Sequence, residues 1–170
     1  MRKIFTFLLI LFLAVFCSAC VNNYAIYKLN TIASEYLNEG NSQAAISRLE
    51  SSVDLDGNIY ETRYNLAVAY YNTQQCDKAL NEISIAKTLL STEPAVFYMD
   101  GVINECMASN IEIKKNDKDV TEKTVNKINF YKKANLSYEN YLRLAPNSDD
   151  SNSVNQKINQ NNEEISKLTK

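Results

Sequence analysis

Residues 32–55, IASEYLNEGNSQAAISRLESSVDL, are answered 34 positions later by residues 66–89, LAVAYYNTQQCDKALNEISIAKTL. Ile32 pairs with Leu66, Ala33 with Ala67, Tyr36 with Tyr70, Ala45 with Ala79, Ile46 with Leu80, Leu49 with Ile83, Ser52 with Ala86 and Leu55 with Leu89. Within each copy these positions recur at three- and four-residue steps, the period of an amphipathic helix and not the alternation of a strand. Gly40-Asn41 divides the first copy: glycine supplies the left-handed conformation that ends a helix, and Asn41 or Ser42 can cap the next one. Asp56-Gly57-Asn58 closes it. Asp-Gly is also a hairpin signal, but both flanking runs have the helical period, so here it reads as a helix-to-helix turn. In the second copy Gln74-Gln75 stands where Gly40-Asn41 did.

Composition agrees with an all-α chain. Of 170 residues, 45% are hydrophobic and 22% charged, the make-up of one folded domain. Three glycines, two prolines and no tryptophan favour helices over turn-rich β structure. The formal charge is −2, and −4 once Arg2 and Lys3 are set aside, with 16 basic residues facing 20 acidic ones. Nothing in that balance attracts nucleic acid. Histidine is absent, which removes the commonest general base and metal ligand. Glu163-Glu164 and Asp149-Asp150 are adjacent carboxylates that read as solvated, and no glycine-rich phosphate loop is present. No catalytic residue, metal site, cofactor or small-molecule substrate is expected.

The N-terminus reads as an export signal over residues 1–19. Arg2-Lys3 is a basic start, Ile4 to Phe16 is almost wholly apolar, and Cys17-Ser18-Ala19-Cys20 ends the run with small residues. Three fates compete: cleavage after Ala19, retention of the apolar run as an anchor, and lipidation. The last four residues resemble the lipobox of bacterial lipoproteins, in which diacylglycerol is attached to the closing cysteine. Ser18, Ala19 and Cys20 match, while Cys17 stands where leucine is usual. The resemblance implies lipidation of Cys20 and further acylation by chains such as palmitate, each buried methylene contributing about 0.8 kcal/mol. In Gram-negative lipoproteins an aspartate after that cysteine retains the protein in the inner membrane, so Val21 implies the outer membrane, facing the periplasm. Residues 20–25 are expected to form the lipidated N-terminus and a short tether, whose five residues Val21 to Ala25 reach about 17 Å at full extension.

The 34-residue echo resembles the tetratricopeptide repeat, a helix–turn–helix unit of that length. Ala33 and Ala67 match that family's small residue in the first helix of the unit, and Ala45 and Ala79 the small residue in the second, where helices about 8–10 Å apart leave no room for large side chains. Tyr36 and Tyr70 match its aromatic position. The family's early aromatic is replaced by Leu29 and Arg63, and its closing proline by Gly57 and Ser91. The expected fold is a short α-solenoid of about three such units, over 26–59, 60–93 and 94–148, with a capping helix over 149–170.

The third unit is modified. Thr92-Glu93-Pro94 announces a helix start, Phe97 restores the early aromatic and Gly101 matches the small position. Asp100 and Asn104 do not fit, which predicts looser packing there. Ala134, Tyr138, Leu144 and Pro146 fit the second helix after 21 inserted residues, and Tyr141 is larger than the pattern wants. The insertion, around 109–129, holds a solvated turn at Asn116-Asp117-Lys118 and a capping box at Asp119-Val120-Thr121-Glu122. Val125, Ile128 and Tyr131 then continue an apolar face, which predicts one long helix from about Val120 to Leu144. Pro146-Asn147-Ser148 stops it and Asp149-Asp150-Ser151 can cap a last helix, whose stripe of Val154, Ile158, Ile165 and Leu168 would shield the end of the stack.

Stacking as in that family brings together the helix ends that carry Cys76 and Cys106. The resemblance therefore implies a disulfide outside the cytoplasm, with two buried free thiols as the alternative. Two thiolates without histidine are too few for zinc.

Function in the family is binding of a protein or extended peptide on the concave face made by the first helices. Its lining positions fall on Tyr27, Asn30, Ser34 and Asn38 of the first copy. In the second they fall on Tyr64, Asn65, Val68, Tyr71 and Asn72, and in the third on Tyr98 and Val102. Tyrosine is common at binding hot spots, although several of the eleven here can simply wedge helices apart. Chaperone-binding members grip a peptide's terminal carboxylate with lysines, an arginine and asparagines. Only Asn65 matches that set, with Ser34, Ala95 and Met99 at other required places. The chain thus reads as a membrane-anchored interaction adaptor or assembly factor of the bacterial envelope. The alternative is a docking accessory of a cell-wall or other envelope enzyme.

Overall fold

Gly40 takes φ +76° and Gln74, 34 residues later, takes φ +61°, so the two copies turn through the same left-handed residue. In the computed structural model, which describes residues 21–114 and 118–170, each is the centre of a Schellman turn. The Gly40 and Asn41 amides donate to the carbonyls of Leu37 and Tyr36, at 3.1 and 2.8 Å, and those of Gln74 and Gln75 to Tyr71 and Tyr70, both at 2.9 Å. Asn41 then caps the following helix, its side chain accepting from the Ala44 amide at 3.2 Å. Gln75 holds the equivalent position without a capping bond, its side-chain amide donating instead to Thr73 Oγ1 at 3.0 Å.

Helix α1 covers residues 21–38, α2 Ser42–Leu55, α3 Tyr60–Asn72, α4 Cys76–Leu89, α5 Pro94–Ser109, α6 Val120–Leu144 and α7 Ser151–Leu168. Among the described residues there is no strand and no helix long and apolar enough to cross a membrane. The export signal and Cys20 lie outside the described residues, as do Asn116 and Asp117 of the expected turn. Residues 21–25, expected as an extended tether, are helical: Val21 to Ala25 hold no glycine or proline, and helical continuation gives their backbone partners at about 1.5 Å per residue.

Successive helices pair antiparallel, and α3 also touches α5 directly, so first helices of adjacent units stand side by side. Ala33, Ala45, Ala67, Ala79 and Ala86 are all fully buried where helices cross, surrounded by Ile46, Leu49, Leu66, Ile83, Val96 and Ile103. A second cluster of Ala134, Tyr138, Tyr141 and Val154 joins α6 to α7. Phe97 packs against both clusters and makes one stack of them.

Several expectations need correction around α6. Asp119 stands at its N-cap but makes no capping bond with its side chain. Instead its carboxylate faces Lys123 at 3.5 Å, an i,i+4 pair on the first turn. Asp150 likewise precedes α7 without capping it, the Ser148 and Ser151 hydroxyls bonding each other at 3.1 Å instead. Asp100 and Asn104 are not loosely packed. Both are buried, with Asp100 accepting from Lys87 and from Ser137 at 2.6 Å each and Asn104 donating to the Asp100 carbonyl at 2.7 Å. Lys87, Asp100 and Ser137 tie α4, α5 and α6 together, while the Asn104 side-chain oxygen is buried with no partner among the described residues. Tyr141 fits despite its size because its hydroxyl leaves the core to reach Ser148, at 3.0 Å.

Candidate functional site

The inner face of the stack is built by α1, α3 and α5, with α7 as a fourth wall at the end. Its N-terminal half is aromatic. Tyr60 and Tyr64 stack with ring centroids 5.9 Å apart, one helical turn along α3. Burial first, and then the carboxylate of Glu93, raises both phenols above their ordinary range, Tyr60 to about 12. Both therefore stay protonated and can donate hydrogen bonds at any physiological pH.

The C-terminal half opens into a cleft of about 370 Å³ lined by Tyr71 and Gln74 of α3, Val102 and Glu105 of α5, Tyr131 of α6 and Glu164 of α7. Cys106 also lines it and is joined to Cys76 by a disulfide, with Cα atoms 6.1 Å apart, inside the normal span for such a bridge. The bridge locks the start of α4 to the end of α5, so the cleft has a fixed floor.

Of the residues placed on this face by the repeat pattern, the structure gathers Tyr71 and Val102 in one cleft, with Tyr64 and Val68 half-buried beside them along α3. Others are engaged elsewhere. The Asn30 amide donates to Ser52 Oγ and Thr62 Oγ1, each at 2.9 Å, and so pins α1 to α2 and α3. Asn72 donates to Ser42 at 3.2 Å, turning back toward α2. The Tyr98 ring lies 6.0 and 5.6 Å from those of Tyr138 and Tyr141, closing the junction with α6. Tyr27 is exposed beside a separate hollow of about 290 Å³ that it shares with Ile26 and Ile59. Asn38 and Ser34 are exposed, and Asn65 is half-buried.

Glu105, Tyr131, Asn161 and Glu164 belong to the cleft, although the sequence places Tyr131 only on an apolar helix face, reads Glu164 only as a solvated carboxylate and does not single out the other two. Glu105 lies 34 residues after Tyr71, so the repeat register itself points to it. The other three lie on α6 and α7, outside the first helices that carry the lining pattern. Asn161 is the least expected: it is buried in the middle of the α7 stripe, where its amide donates to Glu105 at 3.0 Å and to Asn135 at 2.9 Å.

The same arrangement of paired helices around a concave face recurs in solved structures. The first tetratricopeptide-repeat domain of human RPAP3 superposes with a TM-score of 0.67 at 17% identity, over 85% of this chain and 97% of that one. The chain has the tetratricopeptide-repeat fold. The corresponding domain of Spaghetti, bound to an HSP90 peptide, gives a TM-score of 0.64 at 18% identity over 81% of this chain and 92% of that one. The Yersinia enterocolitica type III secretion chaperone SycD, in complex with a peptide of the translocator YopD, gives 0.60 at 14% identity over 85% and 94%. No protein-family model matches the sequence, and no curated protein does. Chemically, the tetratricopeptide-repeat groove here offers aromatic faces, phenol and amide donors and two carboxylates, a set suited to recognition. Among the described residues no group of three potential ligands could hold a metal ion.

Proposed function

We propose that the protein is a membrane-anchored adaptor or assembly factor of the bacterial cell envelope that holds an extended segment of a partner protein in its tetratricopeptide-repeat groove. The cleft carries the reading: Tyr71, Val102 and Tyr131 surround about 370 Å³ of open space at the end of a row of half-buried tyrosines, and peptides are the occupants in the structures of Spaghetti and SycD. The lipobox-like Cys17-Ser18-Ala19-Cys20 supports anchoring through Cys20 at the outer membrane, on the periplasmic side. The Cys76–Cys106 bridge suits the same oxidising compartment. An adaptor and not an enzyme is the role these groups support.

The test is site-specific photocrosslinking in intact cells. A photoreactive residue at Val68 captures an envelope protein on this reading, and one at Leu136, exposed on α6, does not. Capture from Leu136 alone moves the site to α6, while capture of nothing from either removes the adaptor role. Incorporation of a labelled fatty acid that is lost in Cys20→Ala tests the anchor, and an unlabelled parent protein would eliminate it.

A further inference from the structure

The charged residues among the described lining of the cleft are Glu105 and Glu164. Their field is felt inside it: after burial, these two carboxylates raise the Tyr131 phenol above its ordinary range. The chain already uses this chemistry on itself. Lys157 of α7 places its ammonium 2.9 Å from Glu105 Oε2 and 5.7 Å from the Tyr138 ring centroid, a cation held between a carboxylate and an aromatic face. The buried hydroxyl of that same ring has no hydrogen-bond partner among the described residues. Glu164, at the rim, is paired at 2.6 Å with Lys167, the Glu164 side chain 43% exposed and that of Lys167 65%. Such a pair is worth little, so an incoming cation displaces it readily.

We propose that this closed end of the groove takes an arginine side chain from the partner's extended segment. The inference rests on the groove reading above and names the chemistry of its occupant. Tyr71 and Tyr131 offer faces for a planar guanidinium, and Glu164 offers a carboxylate for its fork. Gln74 and Gln160 also line the cleft and supply amide oxygens. The extra N-terminal turns of α6 and the polar face of α7 build this end, so its preference comes from the interrupted unit. A terminal carboxylate is repelled here, the opposite of the clamp in chaperone-binding members of the fold.

The test is titration of the isotope-labelled full-length protein, in detergent micelles, with N-acetyl-arginine amide, followed through its amide resonances. Shifts are expected at Tyr71, Val102, Glu105 and Tyr131, with apparent affinity about fivefold weaker in Glu164→Gln, the loss of one charge-assisted contact at a partly exposed site. Glu164 is partly exposed, and unchanged resonances in α2 to α4 verify the fold of the variant. N-acetyl-citrulline amide, of the same shape without the charge, is expected to give no shifts there. Equal shifts from citrulline, shifts at these residues from N-acetyl-glutamate amide, or arginine shifts confined elsewhere would each overturn the proposal. Crosslinked capture from Val68 that persists in such a case leaves the adaptor reading standing and rejects the arginine alone.

Discussion

Arg63 lies against Gly57. Its Nε donates to the Gly57 carbonyl at 2.8 Å, and a Cβ on Gly57 would stand 2.7 Å from Arg63 Nη2. These are two positions at which the second copy and the preceding turn depart from the repeat pattern, an aromatic replaced by arginine and a proline by glycine. The departures are coupled: the guanidinium fills the place of the ring, and the glycine makes room for it. Arg63 then reaches Glu82 on α4 at 2.6 Å, with the two side chains only 15% and 11% exposed.

Removing one half of that pair leaves a nearly buried charge without its partner. Arg63→Leu is expected to lower unfolding free energy by about 3 kcal/mol, read as a shift in urea midpoint without a change in slope. Arg63→Leu with Glu82→Leu is expected to recover most of the loss, because an apolar pair carries no desolvation cost. A double variant as unstable as the single one would show that the contact with Gly57, and not the charge, is what matters.

Gln74 occupies a left-handed conformation that glycine adopts without a side-chain penalty. Gln74→Gly is therefore expected to stabilise the chain by about 1 kcal/mol, or about 2–4 °C in Tm for a domain of this size. The reciprocal Gly40→Gln should cost a similar amount, since a Cβ at Gly40 meets nothing within 4 Å and backbone conformation alone is tested. Calorimetry on both variants decides it; an unchanged Tm in both would mean that the αL penalty is absorbed by the turn.

The stack was legible in the sequence because its crossings demand small residues at fixed intervals. Ala33, Ala45, Ala67 and Ala79 announce four of them, and the span of α6 follows from apolar spacing between a start signal at Asp119-Val120 and the stop at Pro146. The polar interior was not legible. Asp100 and Asn104 read as misfits and Asn161 was not singled out, yet all three are buried. Asp100 is bonded to α4 and α6, Asn161 to α5 and α6, and Asn104 to Asp100 within α5, and periodicity records only apolar positions. The groove was half legible for a related reason. Register finds Tyr71 and Val102, but it cannot say that Asn72 turns to Ser42 or Asn30 to Thr62, because those depend on which partner lies in reach after packing. Register resumes after the 21-residue insertion at Ala134 and Tyr138, but the lining pattern belongs to first helices and so assigns neither Tyr131 of α6 nor Glu164 of α7 to the groove.

The Cys76–Cys106 bridge closes a 30-residue span. In the loop-entropy account it contributes about 3–4 kcal/mol by restricting the unfolded chain. A variant with both cysteines changed to alanine is expected to lose about that much and to become insensitive to dithiothreitol, whereas the parent protein loses stability on reduction. Equal denaturant midpoints with and without reductant in the parent would show that the bridge does not form in solution.

Alkaline pH should unfold the chain through its tyrosines. Tyr60 is held at about 12 in the folded state against 10.0 when free. Burial raises Tyr138 as well, and burial with the hydrogen bond to Glu50 raises Tyr70. The unfolded phenols release their protons first as pH rises, so the stability these groups confer is complete below pH 10 and is lost toward 12 and above. Urea midpoints followed by circular dichroism should be flat from pH 8 to about 9.5 and fall beyond pH 10. Tyr60→Phe should soften the fall, and a midpoint that rises above pH 10 would contradict the folded-state shifts.

Gly101 carries the tightest packing constraint in the third unit. A Cβ there would lie 2.4 to 2.8 Å from three atoms of the Tyr138 ring, and the ring cannot retreat because it is fully buried between Tyr98 and α7. Gly101→Ala gains helix propensity on an α5 interior position, by roughly 1 kcal/mol, and is nevertheless expected to destabilise by about 1–3 kcal/mol through overpacking. Tyr138→Phe keeps the ring and removes a hydroxyl that has no partner among the described residues, so it should be neutral or stabilising by about 1 kcal/mol. Combining Gly101→Ala with Tyr138→Leu frees the space the methyl needs and should be less unstable than the sum of its parts, since the two side chains touch. Strict additivity in a double-mutant cycle would mean that the helices slide apart to admit the methyl, and the close approach of α5 and α6 would then not be held by this pair.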